Sequence, residues 1–474
     1  MNSSWELVIG IEIHIELNTK TKMFSSQPNL YSDIPNIYVS PIDLAYPGTL
    51  PSLNKEAIIK GIKLAKGLKM KIDNLVRFDR KNYFYPDLTK GYQITQQFNP
   101  IGKNGIIKAK VDDIWKDISI ERIHLEEDTA KSLHQDKYTL LNYNRSGVPL
   151  IEIVSNPVMH SAKEATAYVE AIRQMALALN ISDAKMNEGS LRVDVNISVR
   201  KKNSDDLNTR VEIKNLNSIS NIEKAIEYEA NYQINCYENN ISFEQCTKRY
   251  DENKNITVIM RSKSSAIDYK YFPDPNIPYI RLSNELIDSI KIEELPYEKE
   301  QRYLKNGLNN VQISQLINNT SYANFLDSLN TNDFKKTTNI FFSEIVSYIN
   351  QNPTQNDLIL SNSKEISKLI QFAIDEKISK NNIKLILEEI KNYNDFDIES
   401  IIKNNNLFIE KKAIDLHAII KEIFKENLSL EAEFKNNFNR ASKFLSGQVM
   451  KKTSGKADII ELNKLIKALN EEKK

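Results

Sequence analysis

The sequence predicts an α+β protein in which a sheet with one charged face comes first, an all-helical region follows, and a small helical tail ends the chain. Two observations carry this. Thirteen of the 14 prolines and nine of the 12 glycines lie before residue 300, while Leu308 to Ser446 holds no glycine and only Pro353, so a turn-rich part precedes a helical one. Within the turn-rich part, four segments alternate so that apolar side chains fall on one strand face and charged ones on the other.

The first strand, Val8 to Leu17, sets Ile9, Ile11, Ile13, Ile15 and Leu17 against Gly10, Glu12, His14 and Glu16. A helix follows Asn54. The second strand runs from about Ile118 to Asp128 and ends in His124-Leu-Glu-Glu-Asp128. A helix then opens with a capping box, Ser161 and Glu164, and carries the apolar stripe Val169, Ile172, Ala176 and Leu179. The third strand, Ser190 to Arg200, places Leu191, Val193, Val195, Ile197 and Val199 opposite Arg192, Asp194, Asn196, Ser198 and Arg200. The fourth, Arg210 to Lys214, sets Val211 and Ile213 against Arg210, Glu212 and Lys214. A second capping box, Ser220 and Glu223, opens the next helix. The helices are expected to cover the apolar face. Tyr271-Phe-Pro-Asp-Pro through Pro278 reads as an extended loop, with a boundary between Pro278 and Pro296. The expected domains are 1–290, 291–403 and 404–474. In the last of these, Phe434 to Lys456 holds six Lys or Arg and no acid, interleaved with Phe438, Phe444 and Met450.

Lys and Arg number 64 against 63 Asp and Glu, so any nucleic-acid footprint is local. Cys236 and Cys246 make neither a disulfide framework nor a metal set. Strand-like sequence from Leu7 leaves no room for a leader, and no run of about 18 apolar residues suggests a membrane span. A reducing cytoplasm fits.

Solvated strand faces favour Thr, Ser and Lys, whereas these carry Glu, His, Asp and Arg, the residue types of a cradle for metal ions and phosphates. No phosphate loop or dinucleotide-binding turn is present. Glu12, His14, Glu127 and Asp194 are the candidate metal ligands, and Lys90, Arg192 and Arg200 the candidate positive charges. Hydrolysis by His14 or His124 with a serine or carboxylate is the competing chemistry, although no nucleophile elbow supports it. His134, His160 and His417 read as hydrogen-bonded bystanders.

Five strings carry more: Val8-Ile-Gly-Ile-Glu-Ile-His14, His124-Leu-Glu-Glu-Asp128, Tyr143-Asn-Arg-Ser-Gly-Val-Pro-Leu-Ile-Glu-Ile-Val-Ser155, Glu188-Gly-Ser-Leu-Arg-Val-Asp194 and Asp268-Tyr-Lys-Tyr-Phe-Pro273. In this order they closely resemble the B-subunit family of bacterial aspartyl/glutamyl-tRNA amidotransferases, from residue 5 to about 280. Gly447-Gln-Val-Met-Lys-Lys-Thr-Ser-Gly-Lys456 resembles that family's YqeY-like tail.

The resemblance implies a glutamine-synthetase-like cradle on an antiparallel sheet, and a carbon–nitrogen ligase. ATP and magnesium would activate the side-chain carboxylate of Glu-tRNA(Gln) or Asp-tRNA(Asn) as an acyl phosphate, and ammonia from a glutaminase A subunit would displace phosphate. A small C subunit would complete a heterotrimer. Matching positions assign Glu12, His14, Glu127 and Asp194 to magnesium and Lys90 and Glu212 to the ammonia path; Arg192 and Arg200 would bring positive charge to the nucleotide, and the basic tail around Lys443, Lys451 and Lys452 would reach the tRNA. Two positions depart from the family pattern. Ser25, Gln27, Ser40 and Asp43 stand where many relatives have zinc-binding cysteines, so no structural zinc is expected, and Ile267 stands where a polar residue often precedes Asp268. A tRNA-binding scaffold without chemistry, and a ligase acting on free glutamate, are the alternatives.

Overall fold

In the computed structural model, which describes residues 4–472 except 205, 263–267, 392, 394–395, 410–414, 428–429, 431–432, 435–436, 454–456 and 458, the chain forms two compact units. Met1–Lys305 with Ile313–Thr320 makes the first; Asn306–Gln312 with Ser321–Lys474 makes the second. Ile267 lies outside the described residues, as do Lys435, Gly455 and Lys456 of the basic run.

A nine-stranded sheet organises the first unit, with β1 (Trp5–Glu16) at its middle. On one side follow β10 (Pro149–Ser155), β7 (Ile114–Glu127), β6 (Gly102–Val111) and β2 (Lys71–Ile72). On the other follow β11 (Leu191–Lys201), β12 (Val211–Lys214), β13 (Cys246–Asp251) and β14 (Ile256–Ser262). The pairs are antiparallel apart from β12 with β13, so the sheet is mixed where a purely antiparallel one was expected. Three small pairings surround it. β4 (Asp79–Asn82) lies between β5 (Tyr92–Thr95) and β15 (Phe272–Pro273); β3 (Leu75–Val76) pairs with β16 (Ile280–Arg281), and β8 (Lys131–His134) with β9 (Thr139–Asn142).

Alternation makes the sheet two-faced. Ile9, Ile11, Ile13 and Ile15 of β1 are at most 1% exposed, and β-branched side chains of this kind suit a pleated, packed surface. Burying each contributes roughly 2 kcal/mol. Three helices supply the packing partner: α1 (Lys55–Gly67), α2 (Ala162–Ala178) and α3 (Ile219–Glu238). The expected stripe Val169, Ile172, Ala176 and Leu179 is buried in this core. At Gly61 of α1 a Cβ would meet Ile101 at 3.2 Å and Leu125 of β7 at 3.4 Å, so glycine lets the helix approach the sheet closely.

The helix starts follow capping chemistry with two adjustments. Asn54 accepts from the Glu56 and Ala57 amides, and Ser161 from the Glu164 amide, as expected. The Glu164 carboxylate, however, returns to the His160 amide at 2.7 Å. For α3 the cap is Ser218, accepting from Asn221, not Ser220 with Glu223, which lie inside the helix.

In the second unit, helices Leu416–Glu426, Phe438–Lys452 and Ile459–Glu472 share their own apolar cluster, including Ile420, Ile423, Leu445, Val449 and Leu462. Among the described residues, no helix is long and apolar enough to cross a membrane.

Candidate active site

Residues directly opposite on neighbouring strands lie about 5 Å apart, so strand register decides which charges meet. Arg192, His14, Glu152 and His124 are successive partners across β11, β1, β10 and β7. In the adjacent row Asp194 of β11 faces Glu12 of β1, and in the next Asn196 faces Glu212 of β12. All point to the face opposite the helices, because all share the phase opposite to the buried isoleucines and valines.

The first cluster is a ring of two histidines and two carboxylates. His14 Nε2 lies 3.5 Å from Glu126 and 3.4 Å from Glu152; His124 Nε2 lies 3.7 Å from Glu126 and 3.0 Å from Glu152. Burial opposes imidazolium, but the Glu152 charge outweighs it with help from Glu126, raising His14 and taking His124 up to about 9. Burial disfavours the Glu152 carboxylate too, yet the two histidines hold it well below its ordinary range. His14, Glu126 and Glu152 each present a ligand atom within 4.8 Å of the others, a donor set that fits a divalent cation once the histidine is neutral.

The second cluster is all carboxylate. Glu12, Asp194 and Glu212 also converge within 4.8 Å, and hard oxygen donors in this number fit magnesium. Lys214 bonds Asp194 at 2.6 Å and lies 3.1 Å from Glu212, while Asn196 donates to Glu12 at 2.9 Å and Thr247 to Glu212 at 2.8 Å. Burial raises the Glu12 carboxyl, and the neighbouring Glu152 charge adds to it.

Beside these, Asp128 accepts from Arg145 Nη2 and Arg192 Nη2, each at 2.8 Å, and Arg145 also binds Glu16. Burial would raise Asp128, but Arg192 and Arg145 hold it below its ordinary value. Burial pushes the Glu16 carboxyl up to about 7 against the pull of Arg145. Arg192 thus stands at the edge of the acidic face, anchored by Asp128.

The structure divides the expected ligand set. β7 shifts register against β10 where Ile120 and Arg122 face Ser155 and Val154, and beyond that irregularity Ile123, Leu125 and Glu127 share one phase. His124 and Glu126 take the other. Glu127 therefore belongs to the apolar side, where its carboxylate accepts from Lys90 at 2.5 Å and from the Ile94 amide at 3.0 Å. Burial raises its carboxyl, against the Lys90 charge. Lys90 lies 6.0 Å from the centre of the buried Phe24 ring and lines a cavity of about 220 Å³ with Ile42, Tyr46, Thr49, Tyr92 and Ile94. Glu212, expected with Lys90, sits instead in the all-carboxylate cluster. Arg200 pairs with Glu6 at 2.8 Å, six residues along β11 from Asp194; at about 3.3 Å per residue that is roughly 20 Å away. It is outside the cluster.

Of the remaining candidates, Asp43 is engaged by Lys22 at 3.2 Å and by the Ser40 amide at 2.8 Å, and Ser25 is buried beside Phe24 in sequence. In the second unit Lys443 and Lys451 are exposed, whereas Lys452 is held by Glu422 at 3.0 Å and Glu426 at 2.6 Å. His160 takes a bystander's role, its Nδ1 lying 2.7 Å from the Leu7 carbonyl, and His134 Nδ1 meets Thr139 at 3.0 Å.

Sequence reasoning missed Glu126, Glu152 and Lys214. Glu152 had a signal: it is the one charged side chain in the apolar strand Pro149–Ser155. Glu126 had one too, being two residues from His124 and hence on its face.

Comparison with known proteins gives the family. Residues 7–288 match the family model described as the GatB/GatE catalytic domain, and residues 324–469 the one described as the GatB domain. Proteins named as the B subunit of aspartyl/glutamyl-tRNA(Asn/Gln) amidotransferase are 48% identical in Mycoplasmopsis agalactiae and in Mycoplasma mobile, each over 99% of both chains. The protein of that name in Oceanobacillus iheyensis is 38% identical over 98% of both. Matched along nearly its whole length, the chain belongs to the family of B subunits of aspartyl/glutamyl-tRNA(Asn/Gln) amidotransferases.

Proposed function

We propose that the charged face of the sheet is where the side-chain carboxylate of Glu-tRNA(Gln), Asp-tRNA(Asn) or both is activated with ATP and then amidated. The observation that supports this best is the pair of triads, His14/Glu126/Glu152 and Glu12/Asp194/Glu212, side by side on neighbouring strands. A free carboxylate is a poor acyl donor because oxide is a hopeless leaving group. Its oxygen attacks the terminal phosphorus of ATP, ADP departs, and the acyl phosphate then loses phosphate when the ammonia nitrogen attacks the acyl carbon. Two negative groups have to meet in the first step. Magnesium, when bound, supplies the charge that lets them do so.

The triads hold the cation in this reading, so Glu126 and Glu152 take the ligand role first given to Glu127. Lys214 and Arg192 supply cationic charge at the face; Arg200 is too far along its strand to join them. Lys90 and Glu127 form a polar pair beside the cavity at Ile42, Tyr46 and Ile94, a suitable station for ammonia arriving from a glutaminase A subunit. The wider reading is a glutamine-synthetase-like cradle over 1–290, a helical linker over 291–403 and a tRNA-binding tail over 404–474. It is joined in the cytoplasm by the A subunit and a small C subunit, and needs no structural zinc. Lys443 and Lys451 are the freer tRNA contacts, since Lys452 already answers two glutamates.

The test is conversion of Glu-tRNA(Gln) to Gln-tRNA(Gln) by the chain assembled with A and C subunits, given ATP, magnesium and ammonium chloride, beside Asp194→Ala. Ammonium bypasses the glutaminase. ATP-dependent amide that disappears in the variant supports the reading; tRNA binding without amide in either protein supports a scaffold instead.

A further inference from the structure

A shelf of aromatic rings borders the acidic face, and the chemistry above leaves it unused. The loop between β4 and β5 carries Tyr83 and Tyr85; Phe98 follows β5; and Tyr269 and Tyr271 come from the string that precedes β15. Backbone pairing brings these segments together: the Asn82 amide donates to the Tyr269 carbonyl at 3.1 Å, its side chain donates to the Lys270 carbonyl at 2.8 Å, and Phe272 faces Arg80 across the β15–β4 pair. The rings then form a continuous edge-to-face chain. Tyr85 meets Tyr83 at 6.0 Å, Tyr83 meets Tyr269 at 5.9 Å, Tyr269 meets Tyr271 at 5.9 Å, and Tyr271 meets Phe98 at 6.3 Å between centroids.

This chain does not look like core. Its two ends remain open to solvent, Tyr85 at 57% and Phe98 at 52% exposure. A cation is interleaved with it: Lys81 Nζ lies 4.9 Å from the Tyr269 centroid and 5.9 Å from that of Tyr83. It also borders the first triad: Thr95, the last residue of β5 and three before Phe98, donates its hydroxyl to Glu126 at 3.2 Å. The Tyr83 hydroxyl is raised first by burial and then by the charge of Glu126, and the Tyr271 hydroxyl by burial, Tyr269, Glu152 and Glu126 in turn.

We propose that the rings of Tyr83, Tyr85, Phe98, Tyr269 and Tyr271, with Lys81, form a stacking platform for the unpaired 3′ nucleotides of the aminoacylated RNA. The proposal rests on the function given above, since the amino acid to be amidated is esterified to that end of the RNA. Exposed rings with an interleaved cation are what a single strand is bound by: every base has a face to stack and every nucleotide a phosphate to neutralise. Such a surface carries the strand without reading its sequence, and its position delivers the terminal residue to His14, Glu126 and Glu152. The base of ATP is the other unpaired base that the reaction brings here, and the experiment separates the two.

Tyr85→Ala and Phe98→Ala, with the ring-preserving Tyr85→Phe and Phe98→Tyr, are made in the full chain within its assembled complex. Each is compared with wild type for RNA binding, for the KM of mischarged tRNA and for the KM of ATP, with ammonium as nitrogen donor. The alanine variants are expected to weaken the tRNA about tenfold, as loss of one stacked base would. The KM of ATP stays unchanged, and the ring-preserving variants behave as wild type. On tRNA lacking its unpaired 3′ nucleotides, variant and wild type then bind equally. Unchanged tRNA affinity overturns the proposal, as does a rise confined to the KM of ATP, or weakening that persists on the shortened RNA. Because the binding comparison needs no turnover, it reads the platform even where wild type forms no amide, an outcome that would count against the proposed chemistry instead.

Discussion

The two triads lie on the same face of one sheet and share only strand β1, yet their charge is balanced by different chemistry. Around Glu126 and Glu152 the counter-charges are the imidazoles of His14 and His124; around Asp194 and Glu212 the counter-charge is the Lys214 ammonium. An imidazole that loses its proton becomes a metal ligand in place, whereas an ammonium has no lone pair to offer and has to swing aside. The first triad is therefore the readier holder of a divalent cation. In the proposed reaction the second would fill only as Lys214 finds another anion, and an ATP phosphate is the anion that reaction would supply.

Removing Glu152 tests the first triad most severely, because it is the carboxylate nearest both histidines, 3.4 Å from His14 and 3.0 Å from His124. Glu152→Gln is expected to lower ATP-dependent amide formation by about 10³-fold, the upper range for loss of one electrostatic partner in a reacting site. Turnover like that of wild type would make the ring a structural network. Asp194→Ala is expected to cost about 10²-fold and to raise the magnesium needed for half-maximal rate, read from a magnesium titration. An unchanged requirement would separate the second triad from the metal. Lys214→Ala sharpens the contrast in the opposite sense: at limiting magnesium the half-maximal concentration should fall. If it rises, the lysine serves the substrate phosphate more than it restrains the carboxylates.

Lys90→Met probes the apolar side of the same sheet. ATP cleavage should persist while glutamine-supported amidation drops by roughly tenfold, and saturating ammonium should recover most of it. Equal losses with both nitrogen donors would place Lys90 in the phosphoryl-transfer chemistry. The smallest effect concerns Glu16. Its carboxyl titrates near 7 in the folded chain against an ordinary 4.5, so between those values the folded state holds the extra proton. The group's contribution to stability therefore falls as pH rises through that window. Glu16→Gln stays neutral, so without divalent ions its melting temperature relative to wild type should climb from about pH 5 to about pH 8. A difference independent of pH would contradict this.

How much of the arrangement the sequence disclosed depends on regularity. In β1 and β11 the alternation is unbroken, and Glu12, His14, Arg192 and Asp194 were assigned to the charged face from periodicity alone. In β7 one irregularity near Glu121 reverses the phase, so counting from Ile118 gives the wrong face for Glu127, while counting from His124 gives the right one. Periodicity also reports the face and not the distance along it. Arg200 is in phase with Asp194 and still pairs with Glu6 near the far end of β1. The Ser218 cap was hidden because Ser220 offered the same chemistry two residues later. The aromatic shelf left no periodic trace at all, since its rings come from loops joined by backbone bonds between residues 82 and 269.

The most direct measurement follows oxygen. Glu-tRNA(Gln) carrying 18O in the glutamate side-chain carboxylate is converted by the assembled complex with ammonium, ATP and magnesium, and the released phosphate is weighed by mass spectrometry beside a Glu152→Gln reaction. Activation as an acyl phosphate on the charged face predicts one 18O in each phosphate released with amide formation, and loss of both signals in the variant. Amide formed with unlabelled phosphate, or labelled phosphate at the wild-type rate from the variant, would contradict it.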